Sequence, residues 1–203
     1  MAVWIIEPRD PLITRDGRPF GPVPGAKAAS LAFPFPSTTT GAVRTRDGLN
    51  AEGRFQPSEI HRVKNINVRG PLLVELDAGT GDVACWLVPA PADALLLDLD
   101  PSETGQPMLK RLVPLQLPQG AKTDLPDGLV PVGMPRRDPR KPSSRAPRFW
   151  YWDFFEQWLK EPREVEVSFA KMGHDGPVRE TRIHVSIRTD TQTADEERGA
   201  LFQ

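Results

Sequence analysis

Four consecutive hydroxyl residues stand at the start of a short segment with helical spacing. Ser37, Thr38, Thr39 and Thr40 precede Ala42 and Val43, and Gly48 follows. Ser37 or Thr38 can cap such a helix, and the first turn of a helix presents free N–H groups to an anion. The segment therefore predicts a helix over residues 37–46 whose start can hold a phosphate group. An ordinary capped helix without a ligand explains the same residues.

A second candidate phosphate surface lies in residues 136–148, which carry six basic residues and one acid. Three prolines and two serines within the segment predict an extended chain. Such a basic arm is typical of a segment that contacts RNA or phosphate, although a solvated loop without a partner has the same composition. The basic residues that we expect at this surface are Arg136, Arg137, Arg140 and Lys141.

The three histidines offer only weak candidates for catalysis. His61 lies in a predicted short helix, His174 in a predicted turn and His184 on a predicted strand. A metal-independent ribonuclease can work with one histidine and a second acid or base, so His61 and His174 remain candidates. No spacing matches a known metal site, and we expect neither a metal nor a cofactor. A surface or structural role is the favoured one for all three.

The elements that would position these groups form a mixed pattern. An aromatic segment, residues 149–159, repeats large side chains at helical spacing; packing is the favoured role, and a base-stacking platform is the alternative. Strands are favoured where β-branched residues run together or alternate with polar ones. We predict a buried strand at 3–7, a proline-rich loop at 8–36, a helix at 37–46, a hairpin over 71–88, a helix at 150–159, and a second hairpin of strands at 164–170 and 181–188.

Composition limits the class of protein. The chain has 203 residues with 26 basic and 27 acidic side chains, so a generally basic nucleic-acid binder is not indicated. The single cysteine excludes an intrachain disulfide and fits a reducing compartment. No apolar run has the length of a membrane span. Proline is abundant, with 23 residues, which predicts long ordered loops. We expect a cytoplasmic protein without membrane contact.

Two blocks near the N-terminus resemble the start of CRISPR-associated proteins of the RAMP superfamily. These blocks are IEPRDPLITRDGRPFG and FPFPSTTTGAVRTR, residues 6–21 and 33–46. Later blocks agree in the same order: NVRGPLL (67–73), LVPAPADAL (87–95) and HVSIRTDTQTADEERGALF (184–202). Together they are most similar to subunit three of the Cmr module, the Cas5-like subunit of type III-B effector complexes.

The resemblance implies a non-catalytic subunit of an antiviral, RNA-guided complex. Such a subunit binds the 5′ handle of the CRISPR RNA (crRNA) and contacts the large polymerase/cyclase-like subunit and the backbone RAMP subunits. Arg15, Arg18 and Ser37 to Thr40 match the early family blocks and carry the expected RNA contact. Lys27, Arg44 and Arg46 lie within or beside these blocks, and we expect them to complete a phosphate-and-base cradle.

The resemblance also implies the fold, an α+β protein with a ferredoxin-like (RRM-like) βαββαβ core and long proline-rich insertions. We expect residues 1–203 to form a single domain with a flexible insertion at about 114–148, and to lack the second ferredoxin-like half of the family. Two rival functions stay open at this point. One is a metal-independent endoribonuclease that processes crRNA, and the other is a pure protein-docking module.

Overall fold

The structure, a computed structural model, describes residues 3–17, 30–31, 33–99, 104–180 and 182–195, and the backbone of 201–202. The chain divides into two compact units. One comprises Met1–Pro71 and Pro177–Gln203, here called the terminal unit, and the other comprises Leu72–Gly176, here called the central unit. The single domain that the sequence predicts stays a prediction.

The terminal unit is built on two helices. Its elements are α1 (Pro36–Asp47), a 3-10 turn (Pro57–Glu59), α2 (Ile60–Lys64), and the short antiparallel pair β10 (His184–Val185) and β11 (Leu201–Phe202). Arg62 on α2 pairs with Asp47 at the end of α1 and with Glu59. A Cβ at position 48 would lie 2.4 Å from the Phe55 ring, so a larger residue than Gly48 would require this ring to shift.

The central unit contains two larger antiparallel sheets, a small hairpin and two helices. In chain order its elements are β1 (Leu73–Leu76), β2 (Val83–Pro89), β3 (Ala94–Leu97), β4 (Met108–Arg111), β5 (Val113–Pro114), β6 (Val132–Gly133), β7 (Phe149–Tyr151), α3 (Trp152–Lys160), β8 (Val165–Glu166), α4 (Phe169–Met172) and β9 (Gly173–His174). The sheets have the strand orders β1-β2-β7-β9 and β3-β4-β8, and β5 pairs with β6.

The buried core of the central unit gathers side chains from both larger sheets and from α3. Trp150, on β7, meets Phe154 and Trp158 edge-to-face at centroid distances of 4.9 and 5.8 Å. The Trp158 indole N–H donates to Asp93 at 3.1 Å, so its polar atom is satisfied. Leu96, Leu109, Val167 and Met172 complete this cluster. The packing role predicted for the aromatic segment is confirmed for these three rings.

Several predicted elements are confirmed. The helix expected at 37–46 is α1, and the hairpin expected over 71–88 is β1 with β2. The predicted helix at 150–159 begins two residues later, at Trp152, because Phe149–Tyr151 pairs with β2 as β7. The α+β class is confirmed.

Other predicted elements are wrong. Residues 3–7 form no strand, and Val3, Trp4, Ile5 and Ile6 are about half exposed or more. The predicted hairpin of 164–170 with 181–188 does not form: β8 pairs with β4, and β10 pairs with β11. The strand at 164–170 stops at Glu166, and α4 begins at Phe169. The strand orders of the described residues do not confirm the ferredoxin-like βαββαβ core, which stays a prediction.

Candidate nucleic-acid interface

The start of α1 is built differently from the predicted cap. Phe35 occupies the N-cap position and Pro36 begins the helix, so the prediction that Ser37 or Thr38 caps it is wrong. Proline suits this position because its missing N–H would have no intrahelical partner. The Thr38 N–H donates to the Phe35 carbonyl at 3.0 Å. The first turn contains no acidic residue, so the positive end of the helix dipole is not countered there.

The hydroxyls and arginines of α1 do not gather on one face. Residues seven apart share a helix face, which places Ser37 with Arg44 and Thr39 with Arg46 on roughly opposite sides. Ser37 and Thr38 are exposed, whereas Thr39 and Thr40 are half-buried and the Thr39 hydroxyl donates to the Pro36 carbonyl at 3.1 Å. The single cradle that the sequence predicts is therefore divided between two faces.

The two arginines of α1 have different surroundings. The Arg44 guanidinium donates through Nε and Nη2 to the Ile66 carbonyl, at 3.3 and 3.0 Å, and so ties α1 to the segment after α2. Arg46 is exposed and borders a shallow cleft with Trp4, Asp47 and Leu49. Both lie in the last turn, where a positive charge also suits the helix dipole. Arg46 is thus the better placed of the two to meet a ligand.

Of the three basic residues expected in the proline-rich loop, the structure describes one. Arg15 is exposed, and its backbone forms a bridge with Ser30. Beside it, the Leu31 N–H donates to Thr14 at 2.9 Å and the Thr14 hydroxyl donates back to Leu31 at 3.1 Å. Arg18 and Lys27 lie outside the described residues.

Residues 141–143 of the basic segment 136–148 run along β3 of the central unit. Pro142 forms a bridge with Leu97, the Asp98 N–H donates to Lys141 at 2.9 Å, and the Ser143 N–H donates to Leu96 at 2.8 Å. The predicted extended backbone is confirmed for residues 141–143.

Some cations of this segment are engaged within the protein. Arg140 forms a two-pronged ion pair with Asp138, at 2.9 and 2.6 Å, and Lys110 stands 3.8 Å from the same carboxylate. Hydrogen bonds from Arg140 hold the pKa of Asp138 well below its usual range. Arg145 lies over the Phe169 ring, 4.9 Å from its centroid. Arg136, Arg137, Lys141 and Arg148 are exposed.

A polar cluster centred on Glu75 joins the four strands of the larger sheet. Its carboxylate, on β1, faces Cys85 Sγ on β2 at 3.1 Å, Tyr151 Oη on β7 at 3.3 Å and His174 Nε2 on β9 at 2.9 Å. Burial, and then Glu75, raise the pKa of Cys85 to about 11, and the same causes raise the pKa of Tyr151. Cys85 is therefore a poor nucleophile at neutral pH.

His174 is held at both ring nitrogens. Its Nδ1 accepts from the Gly176 N–H at 2.8 Å, which leaves Nε2 as the nitrogen that donates to Glu75. It lies in β9 rather than in the predicted turn. His61 is exposed on α2, which confirms its predicted helix. His184 lies on β10, which confirms its predicted strand. The described residues contain no group of His, Cys, Asp and Glu that could hold a metal ion.

Residues 4–203 match the family model described as CRISPR-associated protein (Cas_Cmr3). The chain belongs to the Cas_Cmr3 family. No curated protein and no solved structure matches it. The resemblance found in the sequence blocks is thereby confirmed, and membership identifies the chain as a subunit of the type III-B Cmr complex, which is assembled with crRNA.

The match to Cas_Cmr3 covers every residue singled out from the sequence, since all of them lie between positions 4 and 203. Two features escaped sequence reasoning. The Glu75 cluster joins residues up to about a hundred positions apart, and no local spacing signals it. The cleft at Trp4 arises because residues 3–7 are not a buried strand. In the part of the chain that the structure describes, no helix is long and apolar enough to cross a membrane.

Proposed function

We propose that this chain is a non-catalytic subunit of the Cmr complex that binds the 5′ handle of crRNA. It also docks the large polymerase/cyclase-like subunit and the backbone RAMP subunits, as part of antiviral defence in the cytoplasm. The observation that carries the proposal is the family match over residues 4–203. The surfaces of the two units supply the chemistry that it needs.

Exposed cations support the RNA contact. Lys141 stands on a backbone that is hydrogen-bonded to the edge of β3, so its position is set before RNA arrives, and Arg136 and Arg137 are exposed earlier in the same segment. Cations on an ordered backbone bind phosphates with less loss of conformational entropy than cations on a free tail. In the terminal unit Arg15 and Arg46 add further exposed charges. Arg44 and Arg140 are held by intrachain partners, and we assign them to positioning.

The surroundings of His174 support a non-catalytic role. A general base must accept a proton from the attacking hydroxyl, and its accepting nitrogen must face the substrate. The accepting nitrogen of His174 is instead hydrogen-bonded to the Gly176 backbone. General-base catalysis by His174 would require that bond to break.

Exposed apolar side chains of α3 support a role in protein docking. Trp152 is 42% exposed and Leu159 is 62% exposed, although other aromatic residues of the segment are buried. Residues seven apart on a helix share a face, so these two lie on the same side of α3. An aromatic and a leucine on one exposed helix face are typical of a surface that another protein covers.

Titration of the full chain with labelled single-stranded RNA tests the proposal. One RNA carries the repeat-derived 5′ handle, its control carries the same bases in scrambled order, and fluorescence anisotropy is measured over a salt series without metal. We expect tighter binding of the handle RNA and no cleavage products on a gel. Equal affinity for both RNAs would contradict handle recognition, and cleavage would contradict the non-catalytic role.

Substitution of all three histidines, His61, His174 and His184, by alanine tests whether this chain is a non-catalytic subunit or an endoribonuclease. A non-catalytic subunit keeps its RNA affinity in this variant, whereas an endoribonuclease loses its cleavage. Because His174 bridges strands, circular dichroism must first show that the variant is folded.

Co-purification of the Trp152→Ala variant with the large subunit then tests docking, since this exposed side chain can be truncated without opening the core.

A further inference from the structure

The terminal unit contains a shallow cleft of about 350 Å³ lined by Trp4, Arg46, Asp47 and Leu49. Trp4 is 50% exposed, an unusual position for the largest apolar side chain. Arg46 and Asp47 are exposed at the end of α1, and Leu49 is half-buried just after it. One aromatic ring, one cation, one carboxylate and one aliphatic side chain therefore border the same small space.

These four groups match the parts of an unpaired nucleobase. An indole ring stacks on a base, an aliphatic side chain packs on its other surface, and charged groups bond its edges. We propose that this cleft binds one unpaired RNA base and prefers guanine. The proposal rests on the proposed RNA-binding function and deepens it, because it assigns base recognition to Trp4, Asp47 and Leu49.

The preference for guanine follows from the hydrogen-bonding groups available. A carboxylate only accepts, so Asp47 favours a base whose edge offers donors. Guanine presents an N–H and an amino group side by side, whereas uracil presents a single N–H between two carbonyl oxygens. Arg46 carries only donors, which suit the O6 and N7 acceptors of guanine.

Asp47 is held in place for this task by α2. Arg62 Nη1 donates to Asp47 Oδ2, and Arg62 Nη2 donates to the Asp47 carbonyl at 3.1 Å. A carboxylate accepts about four hydrogen bonds, so this pairing leaves capacity for a base. The two neighbouring guanidinium groups, of Arg46 and Arg62, make a metal cation a poor occupant of the same cleft.

The indole N–H signals of the full ¹⁵N-labelled chain provide a direct test. The chain has five tryptophans, and the signal that disappears in Trp4→Phe belongs to Trp4. Guanosine monophosphate and uridine monophosphate are then added separately. We expect the Trp4 signal to shift with both, at a dissociation constant roughly 5- to 100-fold lower for the guanine nucleotide. The signal of buried Trp150 should stay unchanged.

Variants locate the interaction. Trp4→Ala should weaken binding of single-stranded RNA roughly 5- to 100-fold, and Trp4→Phe should restore most of it. Asp47→Asn should abolish the guanine preference. Its control is Glu59→Gln, which removes the other carboxylate partner of Arg62 and leaves the cleft lining intact. Trp86→Ala controls for loss of an exposed tryptophan elsewhere.

The outcomes separate this inference from the proposed function. If the guanine nucleotide shifts the Trp4 signal while handle and scrambled RNA bind alike, the cleft is a base site and handle recognition is wrong. If the handle RNA binds but neither nucleotide moves the Trp4 signal and Trp4→Ala binds RNA normally, the cleft proposal is overturned and the proposed function stands. Equal dissociation constants for the two nucleotides would overturn the guanine preference.

Discussion

At the scale of single residues, Glu75 helps to raise the pKa of Cys85, the chain's only cysteine. Removing its charge in Glu75→Gln should lower the pKa of Cys85 from about 11 towards its ordinary value, because Glu75 contributes to the rise. Burial is the larger cause and remains, so the pKa should stay above the ordinary value. The rate of Cys85 alkylation by iodoacetamide, measured against pH, gives this pKa directly.

The control for this prediction is Glu52→Gln, which removes an exposed carboxylate of the terminal unit. Its alkylation profile should match that of the wild type. An unchanged profile in Glu75→Gln would mean that burial alone determines the thiol pKa. The second carboxylate that raises this pKa is Asp153, the smallest of the causes, so it cannot replace Glu75.

Arg44 and Arg46, two residues apart on α1, form a matched pair that separates positioning from binding. Arg44→Ala removes two hydrogen bonds to Ile66 and should lower the free energy of unfolding by about 1 kcal/mol. Arg46→Ala removes an exposed charge and should change stability by less than about 0.5 kcal/mol, yet weaken RNA binding. Urea denaturation and RNA anisotropy measure the two effects. Equal losses of stability would contradict the assigned roles.

At the scale of elements, the sequence predicts those helices and hairpins whose formation depends on residues close together in the chain. α1 and the β1–β2 hairpin form where expected, because a turn with Gly79 and Gly81 and a terminating Gly48 act within a few residues. Strand partners are decided by distant contacts. β8 alternates like half of a hairpin, but its partner β4 lies more than fifty residues earlier.

In the candidate site, too, features that depend on local residue types were predicted and features that depend on distant contacts were not. Residue types near α1 and in 136–148 predicted exposed cations, and the structure places Arg46, Arg136, Arg137 and Lys141 at the surface. The engagement of Arg44 by Ile66 depends on a segment that composition does not locate. The exposed Trp4 contradicts the local pattern of VWIIE, which favours a buried strand, because no partner strand for it exists among the described residues.

Asp138 links the basic segment to β4, and its role should depend on pH. Because its pKa is lowered in the folded chain, its contribution to stability is present above the unfolded pKa, about 4, and is lost as the pH falls through the lower folded value. Asp138→Asn should therefore be less stable than wild type at neutral pH, and this difference should shrink in acid. Urea midpoints measured from neutral pH downward give the comparison.

Asp190→Asn is the control for the pH effect. Asp190 also pairs with an arginine two residues away, but its side chain is 62% exposed against 11% for Asp138. Solvent screens exposed pairs, so we expect a much smaller loss of stability. Equal pH profiles for the two variants would mean that burial of Asp138 adds nothing to its pairing.

At the scale of the whole molecule, near-neutral net charge and local cations must be reconciled. With 26 basic and 27 acidic side chains, the chain as a whole does not attract RNA, so binding depends on where its cations stand. Replacing Arg136, Arg137 and Lys141 together by alanine should reduce the slope of log affinity against log salt by about 2, since each lost phosphate contact on a single strand accounts for about 0.7.

A second triple variant removes three exposed cations elsewhere, so its total charge equals that of the first triple variant. Arg54, Lys122 and Arg179 serve this purpose, since all three are exposed. If position decides binding, this variant keeps the wild-type slope while the first loses part of it. If both variants lose slope equally, the long-range field of the chain drives RNA binding, and the segment 136–148 is then a structural edge of β3 rather than an RNA contact.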